Sequence, residues 1–158
     1  MTDITNISDT SGSSAQFRVA VSALIFDDER VLLALRRDIG WWNLPGGGME
    51  IGETVDEALC REVSEETGLQ IEVGQLVGVY SKPQKQEVVL TFHCSIKSGT
   101  PIATEETREC QYFNPNDLPT KILPKHRERI ADALLHQPAA ILRAQRSSTE
   151  EDQGLAEY

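Results

Sequence analysis

The sequence predicts a single α/β domain in which a mixed β-sheet is covered by helices on both faces. Three observations lead to this prediction. Strand-like apolar runs lie both before and after one strongly patterned helix, a glycine-rich segment leads directly into that helix, and a second helical pattern closes the domain. This order is typical of a sheet packed between helical layers. A chain of 158 residues is long enough for one such domain with a real core.

The charge balance and the cysteine content narrow the class of protein. Lysine and arginine number 15 against 25 acidic residues, and the net charge of −10 disfavours broad binding to a nucleic-acid backbone. The negative net charge is still compatible with a small phosphorylated ligand that is bound through a metal ion. The three cysteines show no CxxC spacing, which favours a reducing compartment. No membrane-length apolar run or signal-peptide pattern is visible, so a cytoplasmic protein is expected.

The N-terminal part predicts a tail followed by a β-hairpin. Residues 1–16 are rich in Ser, Thr and Asp without apolar periodicity, which predicts a disordered tail ahead of a domain over residues 17–146. The strand pattern of residues 17–26 loses strict alternation near its end, and this predicts burial on both faces. An acidic turn at residues 27–29 leads to a second strand over residues 31–35.

A glycine-rich turn at residues 46–48 precedes a helix whose two ends are both specified locally. Thr54 and Glu57 have the spacing of a capping box, in which each side chain satisfies a free backbone N–H. Gly68 supplies the stop signal. One apolar stripe recurs every four residues and predicts the buried face of the helix: Val55, Leu59 and Val63.

Three further strands are predicted after the helix. Residues 69–80 predict one strand with an interruption near Gly74, and residues 87–96 alternate most clearly between apolar and polar side chains. Residues 110–113 predict a last strand after an acidic loop. Together with the hairpin these strands predict the sheet.

The C-terminal part predicts a closing helix over residues 124–137, with Pro124 in its first turn. Its predicted buried stripe contains Ile130, Ala133 and Leu134. Residues 139–146 predict another helical turn or two. Residues 147–158 predict an acidic disordered tail.

The acids Glu62, Glu65 and Glu66 lie on an unexpected side of the first helix. On a helical wheel they adjoin the apolar stripe, whereas a solvated acidic face belongs opposite it, near Glu57 and Ser64. Three unpaired carboxylates beside a core repel one another and resist loss of water, so a cation is expected among them. Carboxylates suit Mg²⁺ or Mn²⁺, and the lack of Cys and His on this face argues against a structural zinc site.

At this point the residues resemble the complete Nudix box. The matching positions are Gly47, Glu53, Arg61, Glu62, Val63, Glu65, Glu66, Gly68 and Leu69. The preceding Trp42, Leu44, Pro45 and Gly46 also look like the lead-in of that family. So long a pattern at fixed spacing is far more specific than a lone glycine motif. The resemblance implies the Nudix-type α/β/α sandwich with a mixed β-sheet.

The resemblance also implies a reaction and a set of metal ligands. Nudix hydrolases use divalent metal, here Mg²⁺ or Mn²⁺, while water attacks a phosphorus of a diphosphate linkage. The metal positions carry over to Glu62, Glu65 and Glu66, with the backbone carbonyl of Gly47 as a further ligand. Arg61 is expected to orient a glutamate.

Further acids are implied around this set. Glu53 occupies the position of a supporting acid near the metals, and Glu65 or a glutamate outside the box is expected as the general base. Glu106 is the expected outside glutamate, in preference to Glu105. The alternative is that Glu105, Glu106 and Glu109 form only a solvated acidic loop.

Candidate substrate ligands precede the glycine-rich turn. Arg36 and Arg37 are expected to bind pyrophosphate through a guanidinium fork, or else to be a solvated charged pair at a strand end. Trp42 is expected to brace the loop. Trp41 is the candidate for stacking on a nucleobase, with core packing as its alternative.

The expected substrate is a nucleoside diphosphate linked to another moiety, such as ADP-ribose or a sugar nucleotide. Two alternatives stay open. One is the cleavage of nucleoside triphosphates to monophosphates, and the other is a non-catalytic Nudix-fold ligand-sensing module. Sensing modules tend to lose the box acids, which this chain keeps. Homodimers are common in the resembling family, so a homodimer is a further expectation.

Overall fold

The computed structural model describes residues 14–155, so residues 1–13 of the tail predicted at residues 1–16 lie outside the described part. This part of the chain contains eight strands, three helices and one 3-10 turn at Pro83–Lys85. The strands are β1 (Arg18–Asp27), β2 (Arg30–Arg36), β3 (Trp42–Asn43), β4 (Gly46–Gly48), β5 (Gln70–Lys82), β6 (Glu87–Ser98), β7 (Thr107–Phe113) and β8 (Ile141–Ala144). The helices are α1 (Val55–Thr67), α2 (Pro124–Leu134) and α3 (Thr149–Leu155).

The strands form one mixed sheet, as predicted. Its main path runs β3-β2-β1-β6-β5-β8, while β4 pairs with β1 and β7 pairs with β2. The pairs β1–β6 and β5–β8 are parallel, and the other pairs are antiparallel. The interruption predicted near Gly74 is present as an irregularity in the register of β5 between Val73 and Leu76.

The hairpin strands β1 and β2 are paired only at their turn, where Phe26 is opposite Val31 and Asp27 is opposite Arg30. Farther from the turn the same edge of β1 pairs with β4, and β2 pairs with β3. The two strands therefore diverge, and the short strands lie in the gap between them. The glycine-rich segment predicted as a turn is thus the extended strand β4.

Two apolar layers cover the sheet and confirm the α/β/α sandwich. One layer joins α1 to the face of β1 that carries Val21, Ala23 and Ile25. The other joins α2 to the opposite face, which carries Leu24 and Leu33. Strand β1 is therefore buried on both faces, as its loss of alternation predicted.

Helix α1 has both of its predicted caps. The Thr54 hydroxyl accepts the Glu57 backbone N–H at 3.3 Å, and the Glu57 carboxylate accepts the Thr54 backbone N–H at 3.2 Å. Gly68 has a φ of 76°, the left-handed conformation that ends the helix without steric cost. Leu59 and Val63, on the side of α1 that faces the sheet, are fully buried.

The C-terminal part differs from the prediction in three ways. Helix α2 ends three residues early, and Leu134 is 43% exposed instead of buried. The segment predicted as helical forms β8, because the parallel edge of β5 offers it backbone hydrogen bonds that local sequence does not reveal.

The prediction of a disordered tail over residues 147–158 is also wrong for residues 149–155, which form α3. Asp152 on this helix is buried, with an oxygen 3.6 Å from Lys125 Nζ. Lys125 Nζ also donates to the Thr149 hydroxyl at 3.0 Å, so one lysine of α2 holds the segment at two points that sequence spacing could not show. None of the helices in residues 14–155 combines the length and the apolar character needed to cross a bilayer.

Candidate active site

A cavity of about 700 Å³ opens where β1 and β2 diverge. Strands β1 to β4 form its floor, α1 and the loop before β7 bring acidic side chains, and α2 with the end of β5 brings basic ones. The cavity therefore joins an acidic part and a basic part. Its position follows from the hairpin, because the site exists only where the two strands part.

Strand β4 brings its backbone against two carboxylates of α1. The Gly46 backbone N–H donates to Glu66 at 2.8 Å. A Cβ added to Gly47 would lie 2.5 Å from the carboxyl carbon of Glu62, so only glycine allows this approach. The glycine run thus places backbone and carboxylates in contact at one point.

Three carboxylates meet at this point. Glu62, Glu66 and Glu106 each offer an oxygen, and these oxygens all lie within 4.8 Å of one another. Glu106 comes from the loop before β7, and its carbonyl accepts the Arg37 backbone N–H at 3.0 Å. The structure therefore brings the glutamate expected from outside the box beside two of the box acids.

Glu65 lines the same cavity but lies outside this three-carboxylate cluster. Its side chain is 46% exposed, and it accepts a hydrogen bond from Arg61 at 3.3 Å. The sequence-based set of Glu62, Glu65 and Glu66 thus differs from the observed cluster by one member. The reason is that α1 turns Glu65 toward the cavity mouth, whereas the loop before β7 supplies Glu106.

The cluster has the electrostatics of a cation site. The pKa of Glu66 is raised to about 8, mainly by burial and also by the charges of Glu62 and Glu106, while the Gly46 N–H acts in the opposite direction. Burial also raises the pKa of Glu62, which Arg61 partly offsets. A divalent cation bound by these oxygens would offset both the burial and the repulsion that raise the two pKa values, so the residues present fit such an ion.

Arg61 connects the box acids. It donates in a fork to Glu53, and to the Gly48 carbonyl and Glu62 at 3.0 Å each. The paired guanidinium lowers the pKa of Glu53. Glu53 does not line the cavity, but it holds two residues that do: Arg61, and Glu50, whose backbone N–H donates to it at 2.9 Å.

The three candidate substrate ligands have different positions. Arg36 and Arg37 both line the cavity; Arg36 pairs with Asp38, and Arg37 donates to the Thr104 carbonyl at 2.9 Å. Trp41 is only 6% exposed and is not among the lining residues, so the stacking role expected of it is wrong. The ring is packed in the core, which was the alternative to stacking. Trp42 packs edge-on against Phe113 at 4.9 Å between ring centroids.

The basic part of the cavity was missed by sequence reasoning. It is lined by Arg18, Lys82, Lys125, His126 and Arg129. His126 is buried, accepts the Leu44 backbone N–H at Nδ1, and has a pKa far below the ordinary value because of that burial. A signal was available, since Lys125 and Arg129 are four residues apart beside the buried stripe of α2.

The fold and the cavity together define a class of protein, an α/β sandwich whose carboxylate cluster suits a divalent cation. Comparison with known proteins then narrows it. Residues 16–134 match the model of the NUDIX domain. A "MutT-like protein" of Streptomyces ambofaciens is 35% identical over 117 residues, which cover 73% of this chain and 76% of that protein.

Two further proteins are similar. An "ADP-ribose pyrophosphatase" of Methanocaldococcus jannaschii is 38% identical over 121 residues, covering 72% of this chain and 71% of that one. The crystal structure of a NUDIX hydrolase from Nitrosomonas europaea superposes with a TM-score of 0.76 at 25% identity, covering 85% and 82% of the two chains. The chain belongs to the Nudix family, as its box predicted, and is a Nudix pyrophosphohydrolase.

Proposed function

We propose that the protein hydrolyses the diphosphate bond of a nucleoside diphosphate linked to a second moiety, of the ADP-ribose or sugar-nucleotide type, with Mg²⁺ or Mn²⁺. The observation that carries this proposal is the convergence of Glu62, Glu66 and Glu106 within 4.8 Å beside a glycine backbone. The name of the M. jannaschii relative, an ADP-ribose pyrophosphatase, supports this choice of substrate.

In this proposal the acids divide two tasks, holding the cation and accepting a proton. Glu62, Glu66 and Glu106 hold the cation, with the Gly47 carbonyl beside them. The cation would offset the charge of the diphosphate and lower the pKa of the attacking water. Of the two expected bases, Glu65 and Glu106, Glu106 belongs to the cluster, so Glu65 is the one that we assign to accept the proton of that water.

The arginines position the other partners of the reaction. Arg61 fixes Glu62 and Glu65 through hydrogen bonds, so we assign it the role of a positioning residue. Arg36 and Arg37 line the same cavity and would bind phosphate oxygens. Arg36 would exchange its contact with Asp38, which is exposed, for the substrate.

The test is a hydrolysis assay on ADP-ribose, UDP-glucose and nucleoside triphosphates with Mg²⁺. Glu66→Gln keeps the side-chain shape and should lower turnover by roughly a hundredfold or more, because it removes charge from the cation site. Glu57→Gln is the matched control, since it lies exposed on the same helix and glutamine preserves the capping box.

The outcomes separate the alternatives. Turnover of the diphosphate-linked substrates that EDTA abolishes supports the proposal. Preference for nucleoside triphosphates would replace the substrate class, and binding without turnover of any substrate would favour a ligand-sensing module. The expected homodimer and cytoplasmic location stay predictions, which light scattering and fractionation can test.

A further inference from the structure

The basic part of the cavity contains three buried cations that the proposed chemistry does not use. Lys82 lies at the end of β5, and Lys125 and Arg129 lie one turn apart on α2. They are 9%, 7% and 3% exposed, respectively, and all three line the cavity. None of these elements supplies a member of the carboxylate cluster, so the two groups of charges form different parts of one cavity.

Arg129 is the most unusual of the three because the groups that its guanidinium contacts directly are neutral. Its Nε and Nη2 donate to Gln145 Oε1 at 3.2 and 2.8 Å, and its guanidinium lies 5.2 Å from the centroid of the Tyr80 ring. No carboxylate among the described side chains lies within ion-pairing distance of it. A buried charge without a counter-charge is costly, and burial lowers the pKa of Arg129 to about 10.

Gln145 holds Arg129 in place without neutralising it. The Gln145 amide nitrogen donates to the Lys125 carbonyl and to the exposed Glu128, both at 3.0 Å. Its amide oxygen is thereby directed at the guanidinium. The guanidinium is therefore held at the cavity wall before any ligand binds. The free-energy cost of burying and ordering it is met when the protein folds, so an anionic partner would bind to a preorganised cation.

The carboxylates nearby do not supply that anionic partner, because they are already paired with other cations. Lys82 pairs with Glu87, which also lies 3.4 Å from Arg18, and Lys125 pairs with Asp152 at 3.6 Å. With the largely exposed Arg18 included, this wall has four cations and two paired carboxylates, and neither carboxylate pairs with Arg129. In a protein whose net charge is −10, a local excess of buried positive charge points to an anionic ligand.

We propose that Lys82, Lys125 and Arg129 form a phosphate-binding subsite, which receives a phosphate group of the substrate outside the diphosphate that is cleaved. A guanidinium fork with two ammonium groups suits the oxygens and the double charge of a phosphate monoester. The placement of this phosphate within a substrate rests on the proposed hydrolase function. The substrate class becomes a diphosphate-linked nucleotide that carries a further phosphate.

Calorimetric titration of the full chain with inorganic phosphate in EDTA tests the subsite without metal or turnover. Arg129→Gln and Lys82→Met should each weaken phosphate binding roughly tenfold or more. Arg127→Gln is the matched control, since Arg127 is exposed on the same helix and is not among the lining residues; it should bind as the unchanged protein does. Lys82→Met keeps the test valid if Arg129→Gln folds poorly.

Acetate and a neutral nucleoside are the competing probes. Much weaker binding of both supports a phosphate subsite. Equal displacement of phosphate by acetate, absence of phosphate binding, or equal binding by Arg129→Gln, Lys82→Met and Arg127→Gln overturns it. Tight nucleoside binding that is lost in Arg129→Gln would likewise overturn it and assign the wall to a base.

Two measurements separate this inference from the proposed function. Glu66→Gln should lose hydrolysis and keep phosphate binding, because it alters only the acidic part. In the hydrolysis assay, ADP-ribose with a phosphate on its terminal ribose should show a KM roughly tenfold below that of ADP-ribose, and Arg129→Gln should abolish this difference. Hydrolysis without such a difference overturns the subsite and leaves the hydrolase function standing.

Discussion

The guanidinium of Arg61 grips both carboxylate oxygens of Glu53, with Nη2 3.1 Å from Oε2. Glu53 precedes α1 and Arg61 lies two turns into it, so the pair ties the loop after β4 to the helix. From this position Arg61 also reaches the Gly48 carbonyl, Glu62 and Glu65. One side chain thus sets the spacing between the glycine strand and the acids.

Replacing Arg61 with lysine should lower kcat about ten- to hundredfold with a smaller change in KM. Lysine keeps the charge but cannot form the fork that orients Glu62 and Glu65. Steady-state kinetics on the best substrate of the panel measures both parameters. Arg30→Lys is the control, because that arginine is exposed and pairs with Asp27 far along the hairpin. Equal kcat in the two variants would contradict the positioning role.

Replacing Glu106 with glutamine should weaken Mg²⁺ binding, whereas Glu105→Gln should change it little. Both residues line the cavity, but only Glu106 brings an oxygen within 4.8 Å of those of Glu62 and Glu66. Titration calorimetry with Mg²⁺ or Mn²⁺ compares the two variants directly. A larger loss in Glu105→Gln would reverse the assignment within this loop.

Gly47→Ala should reduce metal binding and activity while leaving the protein folded. The new Cβ would lie 2.5 Å from the carboxyl carbon of Glu62, and that carboxylate can move only by leaving Arg61. Circular dichroism and Mg²⁺-dependent turnover report the two effects separately. Gly154→Ala, where an added Cβ meets nothing within 4 Å, should alter neither. Normal activity in Gly47→Ala would mean that this close approach is dispensable.

Without divalent metal, Glu66 should make the folded protein less stable as the pH rises. Its pKa is about 8 in the folded state and 4.5 ordinarily, so between these values the unfolded state releases a proton that the folded state keeps. Folded stability therefore falls with pH across this window, by at most about 1.4 kcal/mol per pH unit.

Urea unfolding in EDTA at pH 5 and pH 8 measures this effect as a difference between the unchanged protein and Glu66→Gln. The variant should lack the Glu66 contribution to the pH dependence, and Mg²⁺ should restore stability only to the unchanged protein at pH 8. Identical pH dependence in both proteins would show that Glu66 does not carry a raised pKa.

The sequence by itself determined those parts of the protein that depend on neighbouring residues. The caps of α1 at Thr54 and Gly68, its buried stripe, and the family all follow from local spacing. The position of Glu62 and Glu66 beside the apolar stripe on the helical wheel likewise predicted that these acids are partly buried. This follows because the angle between successive side chains is fixed once a segment is known to be helical.

The tertiary structure alone decided what lies opposite those acids. It placed Glu106 in the cluster, buried Trp41 in the core, and put Arg129 at the cavity wall, where Gln145 holds it. It also paired residues 141–144 with β5 where helix was expected. These features depend on contacts between segments far apart in the chain, and side-chain spacing carries no record of which distant segment will meet them.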